Sequence, residues 1–509
     1  MGTSVVNTGS IKTGPGGLTA LIASTGAVRI TETSLDPTVF VDVSITSNPN
    51  KPPVSSIGVL NSGTVESGAG GRVLLGAGDV YSLAIRNTAT SSVRTSGGLV
   101  RMEGKIIDQK GVLSGERLIV DGTRMDLGSD LRFDRTIINA AVTLMSDVSV
   151  RGEGGGDAQS LFIQGALRSA DGEQRSLDVH SANSIFAADV GQGAGRLGSL
   201  TVSNTAFFGG NVTAQNDIAI GGKTLFNDGL NDQRMTSVEG TIDFGDLFFK
   251  LGKALTLDAR EIRAAGDGFA VGDLNIGVAQ STVITLDGGA SQRFGSYTKL
   301  VVNGVMSKVT AGKLFLDARE IEATGNISTA QGDLWLMGAT VFRGVGDQSA
   351  TASGGDLHLL ADVRKTSAGA LDLAGESIFA RSDVTSEAGG LSLLGVTVFD
   401  GAGDQAATAI GGQLRASGDV TKSGPGALTL TGDSISLGGS VSTAAGALNV
   451  VGPMTLDGEG DQAIVALGGA LSASGNVVKT TGGNLTLAGD GEMTLGGDVR
   501  AAGGDVSLD

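Results

Sequence analysis

Apolar and polar residues alternate along most of the chain, in short runs separated by glycine, serine, asparagine and threonine. Leu428-Thr429-Leu430, Ile435-Ser436-Leu437 and Ala27-Val28-Arg29-Ile30 are examples, and Val73-Leu74-Leu75 is an apolar run of the same length class. A period of two sends one face of a strand into a core and the other into water. No amphipathic helical pattern of useful length interrupts these runs, and helix start and stop signals are almost absent. The pattern predicts an all-β protein made of many short strands.

Over this short period lies a long one. Gly346-Asp347-Gln348, Gly403-Asp404-Gln405 and Gly460-Asp461-Gln462 recur at a constant interval of 57 (403 − 346 and 460 − 403). Apolar columns keep the same interval, as in Leu371, Leu428 and Leu485 or Phe342, Phe399 and Leu456. Earlier copies carry Gln233 and Gln292. A fixed period of this length marks a repeat architecture in which stacked units bury a continuous core. Within one copy, glycine-marked sub-units begin at Gly411, Gly426 and Gly446, and the next copy begins at Gly468, giving intervals of 15, 20 and 22. The expected fold is a parallel β-helix (β-solenoid) with about 19 residues per coil and three coils per 57-residue repeat. A β-sandwich array is the competing fold, with Asp287-Gly288 and Asp457-Gly458 as hairpin turns.

Three regions follow. Residues 1–130 read as an irregular β-helical region, with Asn48-Pro49-Asn50-Lys51-Pro52-Pro53 as its clearest loop. Residues 131–230 read as transitional coils, and residues 231–509 as the regular repeat, cut at its C-terminal end.

Composition narrows the function. The net charge of −17 repels phosphate backbones and anionic headgroups, which argues against nucleic acid and membrane surfaces as partners. Cysteine is absent, so neither disulfides nor thiolate metal sites can form. No apolar run is long enough for a membrane-spanning helix. Aromatics are 4% of the chain, so the core must be aliphatic.

Asn61-Ser62-Gly63-Thr64-Val65, followed by Gly70-Gly71-Arg72-Val73-Leu74-Leu75-Gly76-Ala77-Gly78-Asp79-Val80-Tyr81-Ser82-Leu83-Ala84-Ile85, resembles filamentous-haemagglutinin-like bacterial surface proteins. The later repeats resemble the giant β-strand-repeat proteins of that broad type. The resemblance implies export to the bacterial cell surface and a right-handed parallel β-helix. The chain departs from the family in showing no export signal and no secretion domain.

Candidate chemistry is sparse. Asp400-Gly401-Ala402-Gly403-Asp404 and Asp457-Gly458-Glu459-Gly460-Asp461 are oxygen-rich turns, so Asp400, Asp404, Asp457 and Asp461 are weak candidates for calcium. The alternative for these residues is a corner loop whose Asp and Gln bond nearby backbone. Glu376, Asp433 and Asp490 recur at one position of the repeat, a spacing too wide for a catalytic pair. Trp335, between Leu334 and Leu336, is expected to face outward, as is His358 between Leu357 and Leu359. His180 has no visible nucleophile partner, and Leu177-Asp178-Val179 matches an integrin-type tripeptide too short to count. The run Gly152 to Gly156 lacks the lysine of a phosphate loop.

The sequence therefore points to an extracellular structural or adhesive rod of a bacterial surface protein, without catalysis or cofactor. Its partners would be a host or neighbouring cell surface, or further copies of itself. A self-assembling fibre or sheath subunit and a polysaccharide-active β-helix enzyme are the alternatives.

Overall fold

The structure is a computed structural model that describes residues 2–32, 41–45, 54–78, 81–227, 229–277 and 282–509. The loop expected at 48–53 lies outside the described residues, as do Asp79 and Val80 of the resemblance motif. Two compact units are present: Met1–Gly229 with Gln233–Phe248, and Leu230–Asp232 with Phe249–Asp509. Each is a β-solenoid of parallel strands. The β-sandwich alternative is overturned by the direction of pairing. Among the described residues one antiparallel pair occurs, Val28–Glu32 against Val41–Ile45.

In the first unit, that hairpin is an excursion from a coil. Leu21 pairs with Leu75, a step of 54 along the chain, whereas Val100 pairs with Leu118, a step of 18. The Asn61-Ser62-Gly63 element proves to be part of a buried amide ladder. Asn7, Asn61, Asn87 and Gln109 stack in register on successive coils. Asn7 Nδ2 donates to Asn61 Oδ1 at 2.8 Å, and Asn87 Nδ2 to Gln109 Oε1 at 2.6 Å. Amides in register can each donate to the next. The middle step is open: Asn61 Nδ2 and Asn87 Oδ1, a donor and an acceptor, are both buried without a partner.

The second unit has three faces. Gln292, Leu314, Leu334 and Leu357 follow one another up the first. Gln348, Leu371, Leu391 and Leu414 do so on the second. The third runs through Gln405, Leu428, Leu448 and Leu471. Inward residues such as Leu334, Leu371 and Leu428 are fully buried, while the residues between them face out. The period-two reading is as expected. The core is mainly aliphatic, but not wholly so. In the first unit Phe186, Phe208 and Phe226 point inward on successive coils, with ring centroids 5.3 and 5.9 Å apart.

The phase of the repeat differs from expectation. Leu357 pairs with Ile378, and Ile378 with Thr397, steps of 21 and 19. Between Gln405 and Gln462 lie eight strand segments, beginning at Gln405, Gln413, Val420, Leu428, Ser434, Val441, Leu448 and Met454. Eight segments on three faces make two and two-thirds coils, not three. The interval of 57 divided by that number gives a mean coil length near 21 in place of 19. Glycine-marked intervals mislead because a glycine can stand at any of three corners, so they do not measure whole turns.

One consequence is positional. Gln348 starts a strand on the second face, Gln405 on the third, and Gln462 on the first, where it pairs with Leu485. Each copy of the motif sits one corner further round than the last.

Candidate functional site

Each glutamine corner of the repeat is a hydrogen-bonded tower through three coils. The glutamine is buried, and its Nε2 donates to two carbonyls of the coil below. Gln292 reaches Ala264 O (2.9 Å) and Gly266 O (3.0 Å). Gln405 reaches Ala380 O (2.9 Å) and Ser382 O (3.3 Å), and Gln462 reaches Leu437 O (3.1 Å) and Gly439 O (3.0 Å). From the coil above, a lysine enters the same corner. Lys308, Lys365, Lys422 and Lys479 have 0% relative exposure. Lys365 Nζ donates to Gly344 O (2.9 Å), Gln348 Oε1 (3.0 Å) and Ser367 Oγ (3.0 Å). Lys308 and Lys479 repeat this arrangement with Thr310 and Thr481. Lys422 differs: it donates to Gly401 O (2.6 Å) and Pro425 O (2.9 Å).

Three acceptors match the three protons of an ammonium. Burial nonetheless disfavours the charge, and it pulls Lys308, Lys365 and Lys422 below the usual lysine range. Nearby aspartates oppose it: Asp287 for Lys308, Asp347 for Lys365, and Asp400 with Asp404 for Lys422. The four lysines keep the interval of 57 in the sequence, and that regularity is the signal by which they could be found. Nothing local marks them as buried.

Three of the four aspartates predicted as calcium candidates, Asp404, Asp457 and Asp461, are hydrogen-bond acceptors between coils. Asp404 Oδ1 accepts from Ala427 N (2.8 Å), and Asp461 Oδ1 from Asn484 N (2.7 Å). Asp457 Oδ2 accepts from Ser436 Oγ (2.8 Å), and Asp400 Oδ2 lies 3.6 Å from Arg381 Nε. Calcium takes about six to eight oxygens. Among the described residues no group of three or more acidic or histidine side chains is placed to hold a metal ion, so the four aspartates do not gather into such a site. The two loops also stand at different corners. Glu376, Asp433 and Asp490 likewise fall at three different corners and do not converge.

A different feature stands on the outer side of the first face. Arg293, Phe315, Trp335, His358 and Phe379 occupy one outward column on successive coils. The Arg293 guanidinium lies 5.6 Å from the Phe315 ring centre. Ring centroids follow at 5.8 Å (Phe315–Trp335), 3.7 Å (Trp335–His358) and 5.0 Å (His358–Phe379). Phe249 and Phe269 stack at 5.8 Å, and Tyr297 meets Phe269 edge-on at 5.0 Å. The outward orientation expected of Trp335 and His358 is found. His358 is nevertheless half-buried, because its neighbours cover both ring faces. Burial holds its pKa below the usual imidazole value, with Asp333 and Asp356 pulling the other way. Phe315, Trp335, His358 and Phe379 are each partly exposed, so the column forms a largely apolar ridge. Lys313, paired with Asp333 at 2.8 Å, flanks it.

Of the remaining candidates, Leu177 and Val179 are core residues and only Asp178 faces outward. His180, expected to lack a nucleophile partner, lies 3.0 Å from the Ser203 hydroxyl. Stacking of coils creates that contact, and a separation of 23 along the chain hides it in the sequence.

Set beside protein-family models, curated proteins and solved structures, the chain matches none.

Proposed function

We propose that this chain is an extracellular structural or adhesive element of a bacterial surface, holding a contact face on a stacked scaffold. The outer aromatic column carries the reading. In a chain with only 4% aromatic residues, one face gathers Phe249, Phe269, Tyr297, Phe315, Trp335, His358 and Phe379. Outward positions elsewhere are mostly small or polar, such as Thr421, Ser442, Thr429 and Ser472. Aromatic side chains give large contact area with little loss of side-chain entropy, which suits adhesion. The corner towers suit the scaffold role, because each buried lysine and glutamine bonds one coil to the next.

The test is adherence. Beads coated with the chain should bind epithelial or bacterial cell layers more than beads coated with albumin. Replacing Phe315 and Phe379 by serine should remove most of that binding while the circular dichroism stays unchanged. Equal binding by coated and control beads would sink the adhesive reading.

A further inference from the structure

Three successive coils of the first unit stack Arg151, His180 and Ser203 in one column. Val150 pairs with Val179, and Val179 with Val202; each of the three residues directly follows its valine. Asp178 faces outward beside His180, between the buried Leu177 and Val179. His180 Nδ1 lies 3.0 Å from Ser203 Oγ, and His180 Nε2 lies 2.8 Å from Asp178 Oδ2. Arg151 Nη2 is 2.8 Å from Nε2 and 3.4 Å from Asp178 Oδ2. On the other side, Asp157 Oδ1 is 3.8 Å from Nδ1, and its Oδ2 accepts from Asn204 Nδ2 at 3.2 Å.

We propose that Ser203 is a nucleophile for acyl transfer from carboxylic esters, with His180 as general base and Asp178 as its positioning residue. A hydroxyl within hydrogen-bond reach of an imidazole, itself oriented by a third group, is the arrangement that activates serine. With Nε2–H donating to Asp178, Nδ1 presents its lone pair to the Ser203 hydroxyl. Oγ bonds to the acyl carbon, its proton passes to Nδ1, and the alcohol leaves carrying that proton. Water then attacks the acyl-serine; its proton travels through Nδ1 to Oγ as the acid departs. The imidazolium formed in each half-reaction faces the carboxylates of Asp178 and Asp157. The backbone N–H of Asn204 follows the nucleophile directly, as does the oxyanion donor of a nucleophile elbow.

Arg151 competes for the same ring nitrogen. A guanidinium N–H and an imidazole N–H cannot both point into one contact, so the reactive tautomer has Arg151 turned to Asp178, which both groups face. Arg151 is in this way a brake on the base.

Access is open on the side of the next coil. Ile220 pairs with Val202, so Gly221 stands over Ser203 in the column and has no side chain to cover the hydroxyl. His180 keeps 26% of its side chain exposed and Asp178 41%. An open site of this kind suits esters on a polymer or a cell surface better than a small molecule that needs a pocket.

The experiment treats the full chain with an alkyl fluorophosphonate. Serine oxygen displaces fluoride at phosphorus and the hydroxyl proton goes to Nδ1. One adduct is expected, mapped by mass spectrometry to Ser203, together with hydrolysis of p-nitrophenyl acetate. Ser203→Ala should abolish both. His180→Gln should slow both by roughly 10²–10⁴-fold. The wild-type labelling rate should rise with pH, because only a neutral imidazole can accept the serine proton. Asp178→Asn should lower the rate and move that profile. Arg151→Gln should raise the rate, and a fall would overturn the tautomer on which the mechanism rests. A merely structural serine gives no adduct at Ser203, or a rate flat in pH and unaltered by His180→Gln, and either result overturns the proposal. The pH profile of the wild type decides the matter even where a variant fails to fold. Adherence and labelling are separate readouts, so this site stands or falls apart from the adhesive reading.

Discussion

The glutamine of each repeat has a measurable role. Truncating Gln405 to alanine strands the Ala380 and Ser382 carbonyls, and it removes the acceptor of the Gly401 N–H. A buried group left unpaired costs about 1–3 kcal/mol. Hydrogen exchange in the coils next to Gln405 should quicken accordingly, with distant coils unchanged. The lysine partner makes a pH prediction. Lys308, Lys365 and Lys422 titrate lower in the folded chain than the 10.5 of an ordinary lysine. Between the folded value and 10.5 the unfolded chain holds more protons, so stability contributed by these sites grows as pH rises through that window. Comparing urea midpoints of the wild type with a Lys308→Met, Lys365→Met, Lys422→Met variant isolates it. The wild type should gain on the variant toward pH 10.5, and parallel curves would refute the assignment. His358 acts in the acid range. Its folded pKa lies below the ordinary 6.5, so its contribution is intact above that value and is lost as pH falls through the folded one. Trp335, 3.7 Å away, should report the change in its fluorescence.

At the level of the element, stacking governs stability. Trp335 meets a ring on each side, and an aromatic pair is worth about 0.5–1.5 kcal/mol beyond its buried area. Trp335→Ala should therefore lose about 1–3 kcal/mol from the two pairs, read as a lowered urea midpoint in the second unit. Corner glycines set a second limit. A Cβ at Gly344 would run into the Thr324 carbonyl oxygen, and one at Gly401 into that of Arg381. These corners pass so close to the coil below that only glycine fits, which explains their place in successive copies of the loop. Strand type and inward face are legible in the sequence because alternation is a local property. The outward aromatic column is not, since Phe315, Trp335, His358 and Phe379 stand one coil apart and belong to different parts of the repeat. His180 and Ser203 stay hidden for the same reason. The period of 57 is plain, yet its phase is not: nothing in a spacing says how many faces it crosses.

For the molecule as a whole, the fractional coil count has a direct test. Removing residues 405–461 brings Gln462 into the place of Gln405, with matching strands on both sides of the joint. The shortened chain should fold with a cooperative melt like that of its parent. Everything after the joint in the second unit should be turned by one face. The absence of cysteine makes the turn easy to follow, because introduced cysteines can carry spin labels without background. Val398 and Thr486 lie on the outer side of the first face, and Thr385 on that of the third. In the parent, a label at Thr486 should stand nearer to one at Val398 than to one at Thr385. After the deletion Thr486 joins the third face, and the order of the two distances should reverse. An unchanged order would contradict two and two-thirds coils. The same fraction reaches into inheritance. Repeated genes gain and lose copies when replication slips, and here each gained copy re-aims every later surface. Only changes in threes return a face to its original bearing. A lineage that selects for one contact face should therefore keep its copy number fixed or vary it by threes, whereas one under pressure to change its exposed surface can do so by a single slip, with no substitution at all.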